Sequence, residues 1–204
     1  MPLQNRVLPT GEIVADPARG TLTGNRGCLH DDQQRLGRAR WKGKAWISCV
    51  LEYKGVRRRV MSPDTWTELF FLDEAVAMAA GHRPCALCRR TAFGQFQAAW
   101  GGARAPEIDA ALHQARVGPD RRQRRFQAEA AELPDGCFIL WREAPHLLLG
   151  GAALPYLAHG YGTALPRPGG GVTVLTPAPM IRVLSAGYRP MLNTDTGLSD
   201  CTKI

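Results

Sequence analysis

No stretch of eighteen consecutive apolar residues occurs in this 204-residue chain, so no helix is expected to span a bilayer. The first residues, Met1-Pro2-Leu3-Gln4-Asn5-Arg6, hold no apolar segment of the kind a secretory leader carries, and the expectation is a cytoplasmic protein. Acidic residues are scarce: 18 Asp and Glu stand against 26 Lys and Arg, a formal net charge of +8. That balance disfavours a basic partner and favours an anionic one, nucleic acid above all. Also missing are a Gly-x-Ser-x-Gly elbow, a His-Glu-x-x-His pair and a phosphate-cradling glycine loop. Gly169-Gly170-Gly171 leads into a strand rather than a helix. No repeat of fixed period is present.

What is there is unevenly distributed. Ten Lys and Arg but three Asp and Glu fall between Arg26 and Arg59, and a second basic knot sits at Arg121, Arg122, Arg124 and Arg125. Of six cysteines, Cys85 and Cys88 form a Cys-x-x-Cys knuckle, while Cys28, Cys49, Cys137 and Cys201 are dispersed. In a reducing compartment such spacing favours metal over disulfide.

The apolar pattern predicts an α+β protein. Residues 1–24, rich in Pro, Gly and Thr, read as loop with one short strand at most, and 31–40 as a short helix or ordered arm. Ala45–Tyr53 and Val56–Met61, split by Lys54-Gly55, read as a β-hairpin. Leu72–Ala80 reads as an Ala-rich helix ended by Gly81, and Cys88–Trp100 as a second. Pro106–Val117 and Pro119–Glu132 read as two more helices. Strands are expected at 137–142, 146–149 and 171–175, then a helix over Ala178–Ser185 capped by Thr176-Pro177, then a frayed tail from Asn193. The Gly-rich link at 101–105 suggests a division into 20–104, a zinc-stapled hairpin–helix–knuckle module, and 105–204, a small α+β half, with the two able to share one core.

Structural zinc takes four thiolate or imidazole ligands. Cys85 and Cys88 supply two, and Cys49, His30 and Cys28 are the upstream candidates for the rest. The alternatives are a pair of buried thiols or a redox pair, the latter disfavoured because no thioredoxin-like βαβ pattern surrounds the knuckle.

Phe70-Phe71, Glu74-Ala75 and Ala80-Gly81-His82-Arg83-Pro84-Cys85-x-x-Cys88-Arg89 resemble the zinc-binding module of Ada-type DNA alkylation-repair proteins. That family carries a hairpin, an Ala-rich helix and then Gly-aromatic-Arg-Pro-Cys-x-x-Cys-Arg, a match of about 45 residues. Its first ligand pair, Cys-x-x-x-Cys after the hairpin, has no counterpart in Arg57-Arg58-Arg59-Val60-Met61-Ser62-Pro63. The family's methyl transfer to one of those cysteines therefore does not carry over. The resemblance implies a zinc module and a preference for the nucleic-acid backbone.

The functional expectation is a Zn²⁺-containing nucleic-acid-binding protein, on DNA rather than RNA, in repair or processing. Arg57, Arg58, Arg59, Arg83, Arg89 and Arg90 are the expected phosphate ligands, and Trp66, in a loop beside Pro63, the base-stacking residue. Arginines on the rigid knuckle are expected to outweigh the Arg121–Arg125 knot. The competing classes are a nuclease or hydrolase using His30, Asp31 and Asp32 on a divalent metal, a thiol alkyl acceptor, and a zinc-stabilised scaffold for protein partners.

Overall fold

A computed structural model describes residues 1–193 and is a mixed α+β fold. Three strands precede residue 26: β1 (Gln4–Val7), β2 (Ile13–Ala15) and β3 (Leu22–Asn25). The Pro/Gly/Thr composition hides them because each is only three or four residues long. β4 (Ile47–Val50), β7 (Leu69–Phe71) and β8 (Arg83–Pro84) complete a six-stranded sheet in the order β2-β1-β7-β3-β4-β8, with β1–β7 and β4–β8 parallel. The expected hairpin shrinks to β5 (Glu52–Tyr53) and β6 (Val56–Arg57). Lys54 and Gly55 both sit at positive φ there, as a two-residue hairpin turn of this hand requires. β4 is not its first arm, because β4 pairs with β3 and β8 instead. Residues 31–40 form turns rather than a helix.

The helices α1 (Glu74–Ala79), α2 (Arg90–Trp100), α3 (Ala105–Arg116) and α4 (Ala178–Ser185) lie within a few residues of their expected positions. The Asp73 carboxylate caps α1 by accepting from the Val76 N–H at 3.0 Å. At α4 the capping residue is Pro177, without a side-chain bond; the Thr176 hydroxyl accepts instead from the Phe138 N–H. The second sheet joins β9 (Phe126–Glu129), β10 (Phe138–Trp141), β11 (Ala144–Leu149), β12 (Ala152–Leu157), β13 (Gly160–Tyr161), β14 (Leu165–Pro166) and β15 (Gly171–Val174), all antiparallel.

The expected helix over Pro119–Glu132 is absent. Its place holds a loop, β9 and a 3-10 turn at Ala130–Glu132. The Asp120 carboxylate accepts from the Arg122 N–H, Arg121 sits at positive φ, and the Gln123 amide donates to the carbonyls of Pro9, Ala79 and Leu175. These turn and tertiary bonds override the helix propensity that Arg, Gln, Glu and Ala lend the segment, propensity being a weak force against tertiary context.

The second sheet is covered on both faces. Phe138, Leu147 and Leu154 meet α1 and the first sheet through Val7, Leu22, Phe71, Ala75 and Val76. Ile139, Leu148, Val172 and Val174 face the other way, onto Phe96, Ile108, Leu112, Met180 and Val183. Both clusters draw residues from either side of the 101–105 link. Alanines let α1 lie completely buried between the layers. Polar ties run the same way: Tyr161 Oη donates to Asp73 at 2.6 Å, Tyr188 Oη to Glu74 at 2.6 Å, and the Asn193 N–H to Asp73 at 3.1 Å. Asn193, expected to begin the frayed tail, is thus held; the rest of that tail, with Cys201, lies outside the described residues. No helix among the described residues is long and apolar enough to cross a membrane.

Candidate metal centre and basic cleft

Parallel pairing of β4 with β8 sets Ile47 opposite Arg83 and Ser48 opposite Pro84, so Cys49 and Cys85 follow side by side. The Cys85 N–H donates to the Ser48 carbonyl at 2.9 Å and fixes the start of the knuckle. The chain then turns through Ala86 and Leu87 and returns Cys88 to the same point. The Sγ atoms of Cys49, Cys85 and Cys88 all lie within 4.8 Å of one another. Thiolates on one tetrahedral zinc stand about 3.8 Å apart, given Zn–S bonds near 2.3 Å. The trio therefore needs only a small contraction to hold the ion.

The protonation pattern suits a metal as well. Hydrogen bonds from the Cys49 thiol and from the Cys88 and Leu87 N–H groups pull Cys85 down to about 5, against the pull of burial. Cys49 and Cys88 are pushed up: Cys49 chiefly by its bond to Cys85 and by burial, Cys88 chiefly by burial. One thiolate thus holds two thiols close, and a cation in their midst would take the place of their protons.

His30 and Cys28 do not join this group. His30 bonds Thr67 Oγ1 through Nδ1 at 2.7 Å and the Ser62 carbonyl through Nε2 at 3.1 Å, so both ring nitrogens are engaged. Cys28 Sγ faces the His30 carbonyl at 3.7 Å. Asp31 closes a turn with Gln33 and Arg35 rather than a divalent-metal site. Cys137 is a fully buried core thiol, pushed up to about 12 by burial.

The arginines divide into two groups. Arg83 makes a bidentate pair with Asp109, both bonds at 2.8 Å, and both side chains are more than nine-tenths buried. Arg89 bridges Glu74 at 2.8 Å and Ser48 Oγ at 3.0 Å. These two knuckle arginines brace the core, each with its charge met by a carboxylate. Arg57, Arg58, Arg59 and Arg90 are exposed, with Arg58 stacked over half-buried Trp66 at 5.0 Å.

The feature that linear reading misses is a cleft of about 850 Å³. Its walls include Arg26, Arg40, Arg116, Arg121, Arg122 and Arg125, with Trp41 and Trp46, against two acids, Glu12 and Asp120. The 121–125 knot faces this concave surface, and Arg89 is not among its lining residues. Its parts come from segments more than a hundred residues apart, so no local motif announces it. The signal available in the sequence was the density of Arg and Trp between positions 26 and 46.

His82, beneath the cleft, packs edge-on to Phe71 at 4.6 Å and beside Trp46 at 5.3 Å, and its Nε2 accepts from Arg26 Nε at 3.2 Å. Burial first, then the charges of Arg26 and Arg116, hold its pKa well below 6.5. The folded imidazole stays neutral where the unfolded one takes a proton. His82 thus supports stability above about pH 6.5, and that support is lost on acidification at up to about 1.4 kcal/mol per pH unit. Urea midpoints between pH 7.5 and 5.5 should fall less steeply in His82→Gln than in the parent. Parallel slopes would show that the ring titrates as freely in the folded chain as in the unfolded one.

Set against protein-family models, characterised proteins and solved structures, the chain matches none. The Ada-type resemblance thus rests on its motif residues alone.

Proposed function

We propose that this protein is a zinc-bearing nucleic-acid-binding protein, with Cys49, Cys85 and Cys88 holding a structural Zn²⁺ and the basic cleft receiving the phosphate backbone. The observation that carries the reading is that cleft: six arginines and two tryptophans on a concave wall with only two carboxylates. Phosphates satisfy guanidinium forks, and the half-buried indole of Trp41 can take an unpaired base, while Trp46 lies buried under Arg26 and Arg116. Exposed Arg57, Arg58, Arg59 and Arg90 widen the footprint. The resemblance to the Ada-type module favours DNA over RNA and a place in repair or processing.

The metal supports the cleft from behind. β4 carries Cys49 and follows directly on Trp46, whose carbonyl accepts from the Arg83 N–H at 3.1 Å. A metal that ties β4 to the residues following β8 fixes the floor of the cleft. Three thiolates leave one tetrahedral position for a ligand from outside the cluster.

Binding to short DNA strands should fall steeply as salt rises, since each phosphate contact releases counterions. Replacing Arg121, Arg122 and Arg125 by alanine should lower the log–log salt slope by roughly two to three, whereas Arg90→Ala should change it by about one or less. A flat salt dependence, or no binding of DNA or RNA at low salt, would remove this function.

A further inference from the structure

Among the buried arginines of this chain, two are treated unlike Arg83 and Arg89. Arg26 and Arg116 are 3% and 2% exposed, yet neither has a carboxylate within 4.0 Å among the described residues. Their guanidinium carbons lie 4.1 and 3.9 Å from the centroid of the same Trp46 ring. Neutral acceptors hold them in place. Arg26 donates to the Gly11 carbonyl and to His82 Nε2. Arg116 donates to the Gly81 and Lys44 carbonyls. Gly81 makes room for this: at φ +83 it carries no Cβ, and one placed there would fall 2.5 Å from Arg116 Cδ. Two donors remain without a partner, Arg26 Nη2 and Arg116 Nε. A third buried arginine, Arg6, also lacks a nearby carboxylate, but it stands alone and shares no ring with another cation.

Carbonyls and an imidazole orient guanidinium groups but do not offset their charge. Two like charges on one indole, each away from water, form an arrangement that an anion would relieve. Burial holds both down to about 9, joined at Arg26 by the charges of Arg116 and Arg40, and at Arg116 by the charge of Arg83 against the more distant attraction of Asp109. Both residues line the cleft, whose rim adds Arg40, Arg121, Arg122 and Arg125. Half-buried Trp41, 5.8 Å from Trp46, offers an aromatic face beside them.

We propose that the floor of the cleft is a binding site for one phosphate monoester, gripped by Arg26 and Arg116, with the attached nucleoside stacked on Trp41. This deepens the reading of the cleft as a nucleic-acid site and rests on it for the source of the phosphate. A monoester fits better than an internal phosphodiester. Its charge approaches two, matching two guanidinium groups, and its single substituent lets the phosphate reach a deep floor while the rest leaves by the mouth. The phosphate belongs either to the end of a strand or to a free mononucleotide.

The test uses the full-length, zinc-loaded protein. Inorganic phosphate should raise its melting temperature above that in chloride at matched ionic strength. A 5′- or 3′-phosphorylated strand should bind at least tenfold more tightly than the same strand ended in hydroxyls, and Arg116→Met and Arg26→Met should abolish that preference. Should those variants fail to fold, the end preference and phosphate stabilisation of the parent protein decide the matter without them. Equal binding of phosphorylated and hydroxyl-ended strands, with no stabilisation by phosphate, overturns the monoester site and leaves the nucleic-acid reading standing. Stabilisation by phosphate and by a mononucleotide, with no strand bound, upholds the site, assigns it a free nucleotide and overturns the nucleic-acid reading.

Discussion

Replacing Cys85 with serine is expected to strip the protein of its metal and to lower its stability by at least about 3 kcal/mol. Zinc at structural sites contributes on the order of 10 kcal/mol of apparent binding free energy at neutral pH, and what binds only the folded chain stabilises it. Cys85 is the thiolate on which the cluster centres, bonded by the Cys49 thiol and by the Leu87 N–H. Protein purified without added metal should carry one zinc per chain. Cys49→Ser and Cys88→Ser should lose it too, and a strong chelator should bring the parent chain to the melting temperature of Cys85→Ser without lowering that variant further. Cys28→Ser and His30→Ala should keep the zinc, because those side chains bond elsewhere. Substoichiometric metal, together with an unchanged melting temperature in Cys85→Ser, would leave the trio as three packed thiols.

Local signals were legible in the sequence wherever a few neighbouring residues decide the outcome. The alanine run of α1, the proline opening α3 and the Cys-x-x-Cys spacing each carry their own physics. The structure places those elements close to where their residues imply. Signals failed where distant partners decide. β1, β2 and β3 are too short to show alternation, and they exist because β7 pairs with both β1 and β3. The 117–125 segment is shaped by Gln123 reaching three carbonyls in other elements. Cys49 was recognisable as a thiol, but its place beside Cys85 depends on a parallel pairing 36 residues along the chain. Arginines were the hardest to read. Arg83, Arg116 and Arg121 look alike in sequence, yet one pairs with an acid, one packs on an indole and one lines the cleft rim.

The fate of Arg83 yields the sharpest contrast. Asp109→Asn should cost about 3–5 kcal/mol, lowering the melting temperature by on the order of 10 °C, because it leaves a guanidinium buried without its counter-charge. The pair lies between β8 and α3, over the Phe93 ring at 5.2 Å, where water has little access. Removing both charges together should be far milder. Arg83→Met combined with Asp109→Leu fills similar volume with apolar groups and should recover most of the loss, since a buried ion pair is rarely worth more than a good hydrophobic contact. The double variant also separates structure from binding. If Arg83 serves only to join the knuckle to α3, the refolded double variant should bind DNA with the parent's salt slope. A slope lowered by about one would instead return Arg83 to the set of phosphate ligands and make Asp109 its resting partner in the free protein.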